Sequence, residues 1–210
     1  MIMFYNILDK KRADILPFFK QFKGKFYLGG GTALALQIGH RDSVDFDFFS
    51  NEKFNTQKLF EEMRDVFLGH KVFKIQEERN TLSILVDENI KISFFYYPYQ
   101  LIDNLIEEEN FKLASLVDIG CMKLSAITGR ASIKDYIDLY YILQDIKLEG
   151  LIEKCLGKFP NIDKNLILKS LVYFEDVIDE KIIFKNDNYI EQKDIEIFLK
   201  KKIKNILINK

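Results

Sequence analysis

Hydrophobic and polar residues alternate strictly in one segment, with Val44, Phe46 and Phe48 on one side and Asp45 and Asp47 on the other. A period of two predicts a β-strand, because successive side chains of a strand point to opposite faces of the sheet. The predicted strand therefore places two carboxylates side by side on one face and its apolar residues on the other.

A short apolar segment, residues 26–28, leads into three consecutive glycines. The residues that follow, 33–38, are mostly good helix formers, and Gly39 ends the run. This order predicts a strand, a tight turn and a short helix. Backbone N–H groups of such a turn can approach phosphate oxygens closely, although a plain strand-to-helix connection is the commoner explanation. The glycine turn consists of Gly29, Gly30, Gly31 and Thr32.

The next segments predict one helix and three strands. Residues 56–67 have their apolar positions at helical spacing, and Asp87-Glu88-Asn89 has the composition of a hairpin turn. The predicted strands are residues 72–75, 81–86 and 90–96.

From about Leu101 the apolar spacing becomes helical, with helices predicted over residues 111–128 and 132–146 and further helices up to the lysine-rich end. The fold class is therefore α+β. Residues 1–104 are expected to form a core with a mixed sheet, and residues 105–210 a helical domain.

Two serine–aspartate pairs in the second half match the capping box, in which a serine and an acidic residue three positions later satisfy the first N–H groups of a helix. They are Ser115 with Asp118 and Ser132 with Asp135.

Composition narrows the class of protein without identifying a substrate. The chain has 31 Lys and Arg against 32 Asp and Glu, so an RNA partner would have to be held by a local basic patch. No apolar run has the length of a membrane span and the N-terminus does not resemble a signal peptide, so we expect a cytoplasmic protein. Cys121 and Cys155 are expected to be reduced thiols, and His40 and His70 to lie at the surface.

Asp45 and Asp47 are candidate metal ligands. Phosphoryl transfer with Mg²⁺ or Mn²⁺ needs oxygen ligands held close together, and alternate positions on a strand provide them. For an isolated pair of acidic residues, a solvated strand face is the commoner explanation. Here 13 residues separate Gly31 from Asp45, so that a glycine turn, a short helix and an acidic strand follow one another.

This order resembles the nucleotidyltransferase superfamily related to DNA polymerase β, and more narrowly it is similar to the AbiEii/AbiGii toxin family of minimal nucleotidyltransferases. The matching segments are residues 27–36, 40–48, 118–127 and 134–139, with Arg130 between the last two, so that the resemblance covers about residues 27–143. It implies a polymerase-β-like nucleotidyltransferase core followed by a C-terminal helical bundle that closes the active-site cleft.

The resemblance also implies a reaction. The glycine turn and Lys123 would hold the triphosphate of an NTP such as ATP or GTP, Asp45 and Asp47 would bind Mg²⁺, and Asp135 or Asp138 would face the nucleotide. An acceptor hydroxyl would attack the α-phosphorus and release pyrophosphate. The implied role is that of a toxin in a bacterial toxin–antitoxin or abortive-infection system, acting on RNA such as tRNA ends and countered by a separate antitoxin protein.

Considered by itself, Lys123 falls on a helical stripe with Ile119, Gly120 and Ile127 that is predicted to face inward. An unpaired ammonium group there would be costly, and a bound phosphate would satisfy it. The alternative is a side chain whose stem packs on the core while its ammonium group reaches water.

Other candidates also keep two explanations each. Asp135 either faces the nucleotide or serves only as the acidic residue of a capping box. Arg41 and Ser43 either reach the triphosphate or shape the turn before the acidic strand. Arg130 and Lys134 either contact phosphates or stay solvated.

In one respect the sequence departs from the superfamily, whose members often carry a third carboxylate on a neighbouring strand. The corresponding positions here are Lys91, Ser93 and Phe95, none of which is acidic. Either the two aspartates bind the metal without a third, or Asp87 contributes from the end of the strand. A small-molecule (antibiotic-type) adenylyltransferase and a non-catalytic nucleotide- or RNA-binding module therefore stay open as alternatives.

Overall fold

A computed structural model describes residues 2–178 and 180–208. The chain divides into two compact units, Met1–Ala114 and Ser115–Lys210. The first unit contains a β-sheet with helices, and the described residues of the second are mainly helical. The division falls later than the predicted boundary after residue 104, because two short strands that follow this residue pair into the sheet.

The first unit begins with short helical segments and continues into the sheet. Its 3₁₀ segments are Tyr5–Ile7 and Leu16–Phe22. Its α-helices are α1 (Lys10–Asp14), α2 (Gly30–Ile38) and α3 (Thr56–Val66). Its strands are β1 (Tyr27–Gly29), β2 (Phe46–Ser50), β3 (Val72–Glu78), β4 (Thr81–Val86), β5 (Ile90–Tyr96), β6 (Ile106–Glu107) and β7 (Lys112–Leu113).

The strands of the described residues form one seven-stranded sheet in the order β3-β4-β5-β2-β1-β7-β6. β2 pairs antiparallel with β1 and parallel with β5, and β1 pairs parallel with β7. The sheet is therefore mixed, as predicted. β2, the strand that follows Asp45 and carries Asp47, lies between two hydrogen-bonded neighbours.

β2 confirms most of the predicted alternation. Phe46 and Phe48 are buried, and the ring centroid of each lies 4.9 Å from that of Phe19. The strand begins at Phe46, so Asp45 immediately precedes it. Val44 is 49% exposed, so the prediction that it shares the buried face is wrong. The rings of Phe46 and Phe48 thus pack into the core on one side of β2.

Two further predictions for the first 115 residues are wrong. The helix predicted from residue 111 begins at Leu116, because β7 pairs with β1 and β6 pairs with β7. Strands of two residues contain too few positions to show a period. His40, expected at the surface, is fully buried, whereas His70 is partly exposed and hydrogen-bonds Asp87.

The second unit is built from helices with short connections. Its helices in the described residues are α4 (Leu116–Gly129), α5 (Ile133–Asp145), α6 (Leu148–Lys158), α7 (Lys164–Ser170) and α8 (Gln192–Ile208). Within residues 2–178 and 180–208, none of the helices combines the length and the apolar character that a bilayer crossing requires.

α4 and α6 approach each other closely at Gly120. A Cβ atom at this position would lie 3.0 Å from both terminal methyl carbons of Leu151. Cys121 and Cys155, on the same two helices, are buried free thiols. Glycine at position 120 therefore sets the spacing of the two helices.

Candidate active site

The glycine turn and the acidic strand lie side by side in the first unit. Gly29 at the end of β1 pairs with Asp47 of β2. Gly30 begins α2 with φ of +63°, and a Cβ atom there would lie 3.3 Å from Oδ2 of Asp47. The Asp47 carboxylate thus lies against the first turn of α2, where backbone N–H groups favour negative charge.

Thr32, in the first turn of α2, fixes the backbone before β2. Its hydroxyl donates to the carbonyl oxygen of Asp45 and lies 2.7 Å from Oγ of Ser43. Thr32 is buried, and its side chain therefore ties the glycine turn to the segment that carries the first aspartate. Asp45 and Asp47 themselves are both half-buried.

Arg41 is buried beside the glycine turn. Its Nη1 donates to the carbonyl oxygen of Asp42 at 2.9 Å. A Cβ atom on Gly31 would lie only 2.6 Å from Nη2 of Arg41 and 3.5 Å from Oγ of Ser43. The guanidinium group therefore lies against Gly31, so a positive charge accompanies the turn. Every candidate of the first unit is part of this arrangement: Gly29, Gly30, Gly31, Thr32, Arg41, Ser43, Asp45 and Asp47.

Arg12 is a residue of this site that the sequence patterns did not indicate. Its Nε donates to the carbonyl oxygen of Val44 at 2.7 Å, and its Nη2 donates to the carbonyl oxygen of Asn89 at 2.7 Å. Its Nη1 forms an ion pair with Asp9, the N-cap of α1. One side chain of α1 thus holds the peptide that precedes Asp45 against the turn between β4 and β5. A single arginine in a short helix gives no periodic signal for this role.

Ser93 occupies the place where a third carboxylate would stand. It lies on β5 directly beside Asp47 in the parallel register of β5 and β2. Its side chain is buried, and Oγ of Ser83 donates to its Oγ at 3.1 Å.

Asp87 does not replace that carboxylate. It follows β4, its Oδ2 contacts His70 Nδ1 at 2.7 Å, and its Oδ1 accepts from the Lys71 N–H at 3.0 Å. The hydrogen bond with His70 holds the pKa of Asp87 below its ordinary value. Over residues 2–178 and 180–208, no group of three or more His, Cys, Asp or Glu side chains comes together as a metal site.

The candidates of the second unit form an ion-paired cluster. Nζ of Lys123 on α4 lies 2.8 Å from Oδ1 of Asp135 and 2.6 Å from Oδ2 of Asp138, both on α5. The Lys123 side chain is 8% exposed, which confirms its inward position. Two carboxylates satisfy its charge, so the ammonium group does not need a phosphate to be stable.

Asp135 forms an ion pair with a second cation, Arg130. The second predicted capping box, Ser132 with Asp135, is wrong. Nε of Arg130 donates to Oδ2 of Asp135 at 2.9 Å. Ser132 is the N-cap of α5, but its hydroxyl donates to Glu180 at 2.8 Å instead of capping the helix, and Lys134 also contacts Glu180. By contrast, the predicted Ser115 cap is present, since its hydroxyl accepts from the N–H of Asp118 at 2.9 Å.

A buried ion pair joins α4 to α6. Nζ of Lys158 lies 2.7 Å from Oδ1 of Asp118, and both side chains are 1% exposed. Oδ2 of Asp118 accepts the hydroxyl of Ser115 at 2.8 Å. The acidic residue of the capping box thus also anchors a lysine of a second helix, which the sequence pattern did not indicate.

Two solved structures share this fold along most of the chain. JHP933 from Helicobacter pylori has a TM-score of 0.60 and 15% identity, over 97% of this chain and 93% of that chain. MenT4, a nucleotidyltransferase toxin from Mycobacterium tuberculosis, has a TM-score of 0.59 and 14% identity, over 92% of this chain and 80% of that chain. The fold is that of the polymerase-β-like nucleotidyltransferases. Two carboxylates lie in it beside a glycine turn that begins a helix.

Sequence comparison narrows this class to one family. The profile described as "Nucleotidyl transferase AbiEii toxin, Type IV TA system" matches residues 18–204, and the chain belongs to this family. An uncharacterised protein from Aquifex aeolicus is 40% identical over 196 residues, which are 88% of this chain and 89% of that protein. The predicted family, fold class and enzyme class, a nucleotidyltransferase, are thereby confirmed.

Proposed function

We propose that the protein transfers a nucleoside monophosphate from an NTP to a hydroxyl group of an RNA acceptor, with Mg²⁺ or Mn²⁺ as its metal. The observation that supports this most directly is the contact between Asp47 and the first turn of α2. This contact places a carboxylate, which can bind a metal ion, beside backbone N–H groups that can bind phosphate.

The residues of the first unit fit a divalent metal. Asp45 and Asp47 supply hard oxygen ligands, both are half-buried, and the missing Cβ of Gly30 leaves space beside Oδ2 of Asp47. When bound, the metal would neutralise charge on the triphosphate and favour the ionised form of the attacking hydroxyl.

The chain's own groups would hold the reacting parts in place. The N–H groups that begin α2 and the guanidinium group of Arg41 would bind the triphosphate, with Ser43 beside them. Thr32 would keep the Asp45 carboxylate in position through the backbone. The acceptor hydroxyl would lose its proton to water, and its oxygen would form a bond to the α-phosphorus in line with the bond that breaks. Pyrophosphate would leave with the displaced electron pair.

For the helical unit, we infer from the resemblance that Lys123, Asp135 and Asp138 act in the same reaction. Lys123 would bind the triphosphate, and one of the two aspartates would contact the nucleotide. The pairing of Lys123 with both carboxylates supports a fixed position for its ammonium group, since three charged groups restrain one another.

The family supports a biological role as the toxin of a toxin–antitoxin system. We propose that modification of tRNA ends or other RNA stops growth and that a separate antitoxin protein counters it. We further propose that the protein acts in the cytoplasm, where NTP and RNA are both available.

One observation favours a second candidate function. Ser93 stands beside Asp47 where a third carboxylate would complete the metal site, so a nucleotide- or RNA-binding module without turnover is the runner-up. A small-molecule adenylyltransferase would differ only in its acceptor.

The test is incubation of the purified protein with Mg²⁺, each α-labelled NTP in turn, and either total bacterial tRNA or a set of small acceptors that includes an aminoglycoside. The Asp45→Ala, Asp47→Ala double variant is compared with a matched double variant, Glu61→Ala with Asp65→Ala, which removes two acidic residues from α3. We expect label on RNA with the wild type and the α3 variant only. Binding of Mg-NTP without transfer to RNA or to small acceptors would instead support the binding module, and label on an aminoglycoside alone would support the small-molecule transferase.

A further inference from the structure

A row of aromatic rings lies on the sheet beside Asp47. Phe49 is two residues after Asp47 on β2 and therefore points to the same face. Its ring is stacked with that of Phe95 on β5 at 5.4 Å between centroids, and with that of Tyr27 on β1 at 6.0 Å. The row thus crosses three adjacent strands next to the candidate metal ligands.

The row continues beyond the sheet. The ring of Tyr97 lies 5.3 Å from Phe49, and the ring of Tyr99 lies 4.9 Å from Tyr97. Phe49, Phe95, Tyr97 and Tyr99 are all half-buried, so each presents part of its ring to solvent. The aromatic row consists of Phe95, Phe49, Tyr27, Tyr97 and Tyr99.

The row ends at a cavity of about 300 Å³, whose wall includes Tyr27 and Tyr99. Such a volume is at the lower end of the range of ligand pockets. Ser50, at the end of β2, also lines it. Ser50 is three positions after Asp47, so the cavity begins about 10 Å along the strand from this aspartate.

The charged side chains that line the cavity are lysines. The described residues that line it include Lys23, Lys25 and Lys112 and no acidic residue. Lys23 and Lys112 share a single carboxylate, that of Glu107, at 3.1 and 2.9 Å. Lys25 forms an ion pair with Glu62 at 3.6 Å, and its side chain is 64% exposed. Three ammonium groups thus face two carboxylates.

Aromatic rings followed by lysines are the combination that binds single-stranded nucleic acid, because bases stack on rings while phosphates contact cations. An acidic peptide would use the lysines but would gain nothing from planar rings. We propose that the aromatic row and the cavity bind the single-stranded end of the RNA acceptor. Its bases lie on the rings, its phosphates at the lysines, and its terminal hydroxyl beside Asp47. This inference rests on the proposed function.

RNA binding can be tested without turnover. The full-length protein with Asp45→Asn is titrated into a fluorescently labelled, short single-stranded RNA in the absence of NTP. Into this Asp45→Asn protein, Tyr99→Ala and Lys25→Gln are introduced one at a time. The matched controls are Tyr189→Ala, at an exposed tyrosine outside the cavity, and Lys20→Gln, at an exposed lysine outside it. We expect about ten-fold weaker binding for Tyr99→Ala, as for the loss of one stacked base, and unchanged binding for the controls. Equal affinity in all variants overturns the proposal.

A crosslinking experiment guards against effects of misfolding. An RNA with 4-thiouridine near its end is irradiated in complex with protein whose aromatic row is unsubstituted. The crosslinked peptide is then identified by mass spectrometry. Crosslinks to residues 95–99 or to Tyr27 support the proposal, and crosslinks confined to other segments overturn it. A poly-glutamate peptide serves as competitor. If it displaces the RNA as well as unlabelled RNA does, the cavity attracts any polyanion and the proposal fails.

The two proposals can fail separately. If the wild type binds RNA at the aromatic row but transfers no label, the enzyme proposal fails and the binding surface remains. If label is transferred with a KM for RNA that Tyr99→Ala and Lys25→Gln leave unchanged, the function stands and the acceptor binds elsewhere.

Discussion

The guanidinium group of Arg12 donates a hydrogen bond to the carbonyl oxygen of Val44, the residue immediately before Asp45. With the contact to Asn89, this one side chain connects α1, the acidic segment and the β4–β5 turn. Arg12 lies before the residues that the family profile matches, which begin at residue 18. Arg12 is thus a positioning residue for Asp45.

Arg12→Ala is expected to lower metal affinity and transfer rate by about ten- to hundred-fold, which is usual when a group that orients a ligand is lost. The measurement is the Mn²⁺ concentration that gives half-maximal transfer. Added guanidinium ion should restore part of the rate in Arg12→Ala and none in the control Arg64→Ala, whose side chain lies on the exposed face of α3. A variant with unchanged metal dependence would show that Asp45 is held by other contacts.

Gly30→Ala is expected to abolish most activity and to lower the free energy of unfolding by about 1–2 kcal/mol, because the residue has a positive φ. Its methyl group would also lie 3.3 Å from the Asp47 carboxylate. Urea denaturation and the transfer assay measure the two effects. Gly157→Ala, in open space on α6, serves as control and should be neutral or stabilising by about 0.4–1 kcal/mol. Full activity of Gly30→Ala would disprove the contact.

Lys158→Met is expected to lower the free energy of unfolding by about 3–5 kcal/mol, because it leaves the Asp118 carboxylate buried without its cation. Adding Asp118→Leu should recover much of this loss, since no buried charge then remains. Chemical denaturation of the single and double variants measures both changes in the free energy of unfolding. The exposed pair of Lys200 and Glu196 provides the control, and Lys200→Met should change stability by less than about 1 kcal/mol.

Lys123→Met is expected to reduce both stability and transfer, since two carboxylates lose the cation between them. The informative quantity is the NTP dissociation constant of the folded fraction. If Lys123 binds the triphosphate, this constant rises beyond what partial unfolding explains. An exposed lysine of the same helical unit, Lys154 on α6, gives the control variant Lys154→Met. An unchanged NTP affinity would assign Lys123 a structural role only.

Glu180→Gln is expected to lower the melting temperature at neutral pH. Hydrogen bonds from Lys134 and Ser132 hold the pKa of Glu180 below its ordinary value of 4.5. A lowered pKa in the folded state means that the ionised carboxylate stabilises the fold above pH 4.5, and that this contribution is lost as the pH falls through the folded-state pKa. The difference in melting temperature between wild type and variant should therefore vanish in acid. A difference independent of pH would contradict the assigned pairing.

The parts of the fold with a long enough pattern were predictable. The β4–β5 hairpin turns at Asp87 and Glu88, as predicted, and both residues have positive φ. Gly39 caps the end of α2, also as predicted, with φ of +67°. The candidates of the first unit also come together, because the glycine turn and the acidic strand lie next to each other in the sheet.

The remaining features depend on contacts that are distant in sequence. β6 and β7 exist only through pairing at the edge of the sheet. Ser132 satisfies its hydroxyl with Glu180, 48 residues away, so the local capping pattern was misleading. The partners of Lys123 lie on the next helix, and no rule of spacing predicts that it pairs with both Asp135 and Asp138.

The central place of β2 in the sheet affects how the site responds to local opening. Its hydrogen bonds go to β1 on one side and β5 on the other, and its Phe46 and Phe48 lie in the core. Amide hydrogens of such a strand exchange with solvent mainly through global unfolding, whereas edge strands and termini open more often. Asp47 thus belongs to the most persistent part of the first unit. Mild heating or denaturant should accordingly leave the carboxylate in place until the whole unit unfolds.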